Sequence, residues 1–255
     1  MSGETTRQEL FQYVIRLGDN ALINGQRLAE WCGRGPFVEE DIAMTNIALD
    51  LVGRARMLLT YAGEVEGAGR TEDDLAYFRN EREFRNFQIM ELPVGDFAFT
   101  TARQFFVDAY DYFYYRALQH SVDSTLAGIA AKTLKECEYH LRHSAEWMLR
   151  LGDGTEQSHA KISTAVAELM PFTYELFDAD GIDRAMQANQ IGVDLNTVEA
   201  LWNEKVNNVL DEATLERPEL KYTRSGGRQG LHSEHIGYLL AEMQSLQRAM
   251  PGQDW

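Results

Sequence analysis

The chain is poor in the features that mark cross-linked, zinc-stapled or membrane-spanning proteins. It has only two cysteines, Cys32 and Cys137. Neither lies in a CxxC or Cys/His spacing, which excludes a disulfide framework and a structural zinc site. So little cysteine fits a reducing compartment, and a cytoplasmic location is expected. No stretch approaches the roughly 18 apolar residues that a spanning helix needs, so no membrane partner is expected. The opening Met1-Ser-Gly-Glu-Thr-Thr6 has no basic patch leading into an apolar run and reads as no secretory signal. Basic residues are in deficit, with 24 Lys and Arg against 40 Asp and Glu and a formal net charge of −16. That sign repels phosphate backbones and argues against a nucleic-acid partner. A solvated acidic surface is the plain account of the charge, and basic partner proteins are the alternative.

Strand signals are nearly missing too, since no alternating β-branched run is bounded by turn residues. What remains is helix, punctuated by Pro36, Pro93, Pro171, Pro218 and Pro251. Each falls where the helical pattern breaks, because proline lacks a donor and clashes with the preceding turn. The pattern predicts long helices over 6–31, 39–63, 97–118 and 123–151. A short helix opens at Thr71, with Asp74 completing a capping-box-like start. Shorter helices follow over 156–178, 181–190 and 197–214, and a Gly-rich loop at 225–230 precedes a last helix over 233–249. Four long helices with short links predict an all-α, antiparallel four-helix bundle with additional C-terminal helices, as one domain over 1–255.

Such bundles often hold two metals, with a Glu from each of two helices and a Glu-x-x-His from each of the others. Glu156 and His159 form the one such pair here, just after a Gly-Asp-Gly break, and read as a polar cap. Placing residues at 100° intervals centres the apolar stripe of the first helix on Gly18 and Gly25, and that of the second on Leu51. On 97–118, Ala102, Phe106, Ala109 and Phe113 fill the stripe while Asp108 and Asp111 point away. On 123–151 the stripe surrounds Cys137, with Glu136, His140 and His143 at its edge as a polar flank. A dry bundle interior without carboxylates is therefore expected, and a thiol in such surroundings is inert. His232 and His235, with Glu242 two turns on, form a weaker chelating pattern. The Gly-rich loop lacks the Lys-Ser/Thr of a P-loop, and there is no GxSxG elbow.

The helix over 97–118 is aromatic around most of its circumference, so it should be covered on two sides. One cover is the bundle core. The other is either a further helix of this chain or a partner subunit, with Phe105, Tyr112, Tyr114 and Tyr115 as candidate interface residues.

Several stretches carry a family resemblance: Leu17-Gly-Asp-Asn20, Arg27-Leu-Ala-Glu-Trp-Cys-Gly33, Asn46-Ile-Ala-Leu-Asp50, Tyr139-His-Leu-Arg142, Arg150-Leu-Gly-Asp-Gly-Thr155, Glu175-Leu-Phe-Asp178, Gly230-Leu-His-Ser-Glu-His235 and Leu246-Gln-Arg-Ala-Met-Pro-Gly252. They resemble, in order along nearly the whole chain, the C-subunit family of phenylacetyl-CoA epoxidase (ring 1,2-phenylacetyl-CoA oxygenase) complexes. The resemblance implies a ferritin-like fold related to that of the catalytic A subunit, which carries the di-iron centre. It implies that this chain itself lacks a cofactor and binds and stabilises the A subunit, in a complex that includes a reductase and epoxidises phenylacetyl-CoA in phenylacetate catabolism. Against an Asp-Glu-Leu-Gly-His segment of the A subunit, this chain has Leu51 and Arg54 in the Glu and His places. Its second motif reads Cys137-Glu-Tyr-His140 and keeps only the histidine. The resemblance further implies a contribution to the edge of the CoA region, near the subunit interface. Glu83, Phe84, Arg85 and Asn86, with Arg184, Ala185 and Met186, are the candidates. The rival reading is an independent metalloenzyme with an irregular site at Glu136, His140 and His143 or at His232 and His235.

Overall fold

The computed structural model describes residues 3–253, with side chains from residue 6, and every regular element among them is helical. The leader reading at Met1 and Ser2 lies outside the described residues. The chain groups into two compact units, 1–93 with 225–255 and 94–224.

The first unit is built on α1 (Gly3–Ala29) and α2 (Val38–Glu66). The two run antiparallel. A Cβ on Gly18 would lie 2.7 Å from Leu59 Cδ2, and one on Gly25 would lie 3.2 Å from Leu51 Cβ. The stripe centres expected from the sequence on α1 are therefore places where it packs directly against α2. Around Leu51 the helices close over Leu28, Ile47 and Ala48, with Trp31 packed against them. Gly25→Leu would drive a side chain into α2, and we expect it to destabilise the protein by about 1–3 kcal/mol in urea unfolding. Asp41 ties the link between the helices, accepting from the Gly33 and Gly35 amides at 3.1 and 3.0 Å. Those backbone donors hold its carboxyl below the usual range.

The same unit then becomes irregular. α3 (Glu72–Tyr77) starts at Thr71, whose capping box with Asp74 forms as expected. A 3-10 turn at Glu81–Glu83 and one turn of helix, α4 (Gln88–Glu91), follow. The unit is completed by α10 (His235–Met243) and α11 (Ser245–Ala249), two helices where one was expected.

The second unit pairs α5 (Phe97–Leu118) with α6 (Ser124–Gly152). Asp96 and Asp123 cap them by accepting from backbone amides of the first turn. Phe97 at the start of α5 meets Trp147 near the end of α6 edge-on, with ring centroids 4.9 Å apart, so this pair is also antiparallel. α7 (Glu156–Thr173), α8 (Gly181–Ala188) and α9 (Leu195–Glu212) complete the unit. Pro171 lies inside α7 and not at a break, which corrects the sequence reading. It falls in the last turn, where the helix has only two residues left, and a 3-10 turn at Tyr174–Leu176 takes over.

Candidate functional site

The densest polar chemistry in the first unit lies where α1 meets the irregular segment 78–93. That segment has too little helix to bond its own backbone, so it needs partners elsewhere. α1 supplies them from one side. Asp19 accepts from the Arg85 amide at 2.8 Å, Asn20 Oδ1 accepts from the Phe87 amide at 2.8 Å, and Arg27 Nε donates to the Glu91 carbonyl at 3.0 Å. The Asp19 carboxylate also takes a two-pronged bond from the Arg79 guanidinium, Nη1 to Oδ2 at 2.9 Å and Nη2 to Oδ1. The two side chains are 0% and 3% exposed. The Arg79 guanidinium sits 4.2 Å above the Phe84 ring, so its face as well as its edge is matched.

A second buried charge follows one turn on. The Glu91 side chain is fully buried and accepts from Asn86 Nδ2 at 3.1 Å, from the Ser233 amide, and from His232 Nδ1 at 2.8 Å. The other His232 nitrogen lies 3.1 Å from the Phe84 carbonyl. Both ring nitrogens thus point at acceptors, an arrangement that suits the doubly protonated imidazolium. Burial works against that charge, but the Glu91 hydrogen bond and charge outweigh it and raise the His232 pKa above its ordinary value. Gly227 presses on the same place, since a Cβ there would stand 2.0 Å from the Asn86 carbonyl oxygen. The matched stretches at 17–20, 27–33 and 230–235 therefore meet in one network of buried hydrogen bonds.

The four positions that the sequence resemblance sets against metal-binding motifs are all interior. Leu51 is 2% exposed, and Arg54, Cys137 and His140 are each 1% exposed. Their chemistry does not fit a di-iron centre. A leucine has no donor atom, and an arginine is a permanent cation that a divalent metal repels. Among the described residues no group of three or more His, Cys, Asp or Glu is placed to hold a metal.

Other expectations need correcting. The interior is not dry: Asp19, Glu40, Glu91, Arg103, Asp108, His140 and Glu175 are all buried. Asp108, expected to face outward, is 4% exposed, and His140 lies in the core and not at its edge. Phe105, Tyr114 and Tyr115 are buried within the chain and offer no partner surface; of the four interface candidates only Tyr112 is part-exposed. The second cover of α5 comes from helices of the same unit. Trp202 on α9 donates to the Phe106 carbonyl at 2.9 Å and packs on the Phe106 ring at 5.8 Å. Tyr110 meets Phe177 at 5.8 Å.

Of the candidates for the CoA edge, Phe84, Asn86 and Met186 are fully buried. Glu83 caps the Asn80 amide at 2.8 Å, and Arg85 Nη1 donates to the carbonyls of Arg82 and Phe84. Arg184 donates to the Ala179 carbonyl at 2.7 Å beside part-exposed Ala185. Both guanidiniums are thus engaged by backbone. Glu156 starts α7, and His159 Nδ1 lies 2.7 Å from the Gly152 carbonyl at the end of α6, a cap as expected. His232 is paired with Glu91, a residue that stands in no chelating spacing with it along the sequence.

Sequence reasoning missed Asp19, Arg79 and Glu91. One signal was present: Asp19, Asn20 and Arg27 recur at helical spacing beside the Gly18–Gly25 stripe, so all three lie along one side of α1.

Helix pairing and burial of this kind define an all-helical protein of the ferritin-like class. The fold is matched by protein 19 with aldehyde deformylating oxidase activity from Synechococcus, at a TM-score of 0.57 and 18% identity over 85% of this chain and 94% of that one. The chain belongs to the family described as phenylacetic acid catabolic protein, which matches residues 1–255. It is 50% identical over 247 residues to the C subunit of 1,2-phenylacetyl-CoA epoxidase from Escherichia coli (strain K12), covering 97% of this chain and 99% of that protein. Among the described residues no helix is long and apolar enough to cross a membrane.

Proposed function

We propose that this chain is a non-catalytic structural subunit of a phenylacetyl-CoA epoxidase. It binds and stabilises the related catalytic A subunit, which carries the di-iron centre, and the complex draws electrons through a reductase. One observation carries the reading. Where the catalytic relative's motifs place a glutamate and a histidine on α2, this chain buries Leu51 and Arg54, and on α6 only His140 remains beside Cys137. A helical fold with a hydrocarbon and a cation in those places supports a subunit that contributes structure and not metal chemistry. The buried Asp19–Arg79 and Glu91–His232 pairs support the same role, because they tie the irregular segment to α1 and to the C-terminal residues and so rigidify the first unit.

The test is assembly. Mixed with its catalytic partner, this chain should elute from gel filtration as a heteromer, and oxygenation of phenylacetyl-CoA should require both. If the two elute separately, or the partner alone turns over at the full rate, the proposal is wrong.

A further inference from the structure

The C-terminal arm, residues 225–253, returns to the first unit after a long insertion, where it buries Ile236, Leu239 and Leu240 and makes a set of polar bonds to the preceding segments. Gln88 Nε2 donates to the Leu231 carbonyl at 2.9 Å. Gln244 Nε2 donates to the Ala76 and Arg79 carbonyls, each at 3.0 Å, and Arg248 Nη2 to the Arg79 carbonyl at 2.8 Å. Arg27 bridges both sides, donating to the carbonyls of Glu91 and His235. Most of these bonds join neutral amides or permanently charged guanidiniums to backbone and do not change between pH 6 and 10. The His232 contact does.

We propose that the arm is a proton-dependent latch, closed by the His232 imidazolium lying between the Glu91 carboxylate and the Phe84 carbonyl, and released when that ring loses its proton. A neutral ring has one N–H, so either Glu91 or the carbonyl loses its donor. The Glu91 side chain is fully buried and would keep only Asn86 and the Ser233 amide as partners, with no opposing charge from His232. Three of the neighbouring cations are already engaged elsewhere. On α1 stand Asp19 and Arg27, and on the irregular segment Arg79, Glu81, Arg82, Arg85 and Glu91. The arm itself carries Arg228, Glu234 and His235 near the ring, with Glu242 and Arg248 further along. Arg79 is bonded to Asp19, Arg85 to carbonyls, and Arg27 to Glu30 and carbonyls. Glu81, Arg82 and Glu234 line an open groove of about 250 Å³ beside His232.

The direction follows from linkage. His232 titrates higher in the folded arm than in the free arm, so the latch is fully closed below the ordinary histidine value of about 6.5 and opens as pH rises through the folded value.

Hydrogen exchange resolved along the full-length chain tests this, with rates divided by intrinsic rates at each pH. Protection of 225–253 should fall by about tenfold for each unit by which folding raises the His232 pKa, while α5 and α6 keep theirs. An NMR titration of the His232 ring in the wild-type chain should give a midpoint above 6.5. His232→Asn should show an arm already open at pH 6 and indifferent to pH. A ring midpoint at or below 6.5, or wild-type protection that stays flat as pH rises, overturns the latch whether or not the variant folds.

Discussion

Asp19→Ala is expected to destabilise the protein by about 3–5 kcal/mol, because it strands the buried Arg79 guanidinium without its counter-charge. The Asp19 side chain is fully buried and its partner 3% exposed, so water cannot replace the lost bond. Asp19 also accepts from the Arg85 amide, which would be left without that acceptor. Removing both members of the pair should behave differently. Asp19→Leu combined with Arg79→Met replaces two charges with hydrocarbon of similar volume, and its cost should be clearly below that of either single change. Urea unfolding followed by circular dichroism checks both. Equal losses in the single and double variants would show that the segment depends on the ion pair itself and not on avoiding a stranded charge.

Trp202→Ala is expected to cost a similar amount, about 3–5 kcal/mol, for a different reason. Trp202 is 1% exposed and sits against Phe106 and Phe177 at 5.8 and 5.3 Å, with its indole N–H on the Phe106 carbonyl. Truncation opens a cavity among rings that cannot collapse into it without moving α9 off α5. Trp202→Phe keeps most of the volume and loses the hydrogen bond, so it should cost clearly less. Thermal or urea unfolding ranks the two, and equal losses would mean that the hydrogen bond matters more than the volume.

How much of this was legible in the sequence depends on how local the causes are. The caps at Thr71, Asp96 and Asp123 act within three residues, and all three start helices where expected. Gly18 and Gly25 were found because a helix repeats its geometry every turn. By contrast, the segment 78–93 takes its shape from Asp19, Asn20 and Arg27, some 60 to 67 residues earlier. No window along the chain contains both halves of those bonds. An average over side-chain hydropathy also scores a buried aspartate and a solvated one alike, so Asp108 was sent to the wrong side and the interior was expected to be dry. The aromatic surface of α5 was read correctly as needing two covers, but periodicity does not say which chain supplies the second. Here α9, nearly a hundred residues on, supplies it. The CoA-edge candidates show a related limit of the sequence: Arg85 and Arg184 look free there and are bonded to backbone carbonyls in the fold.

Elemental analysis of this chain purified without its partner decides whether the interior positions Leu51 and Arg54 on α2 and Cys137 and His140 on α6 hold a metal. After expression in iron- and manganese-rich medium the account predicts metal far below one ion per chain, unchanged in His140→Ala. Stoichiometric iron or manganese that disappears with His140→Ala would contradict it.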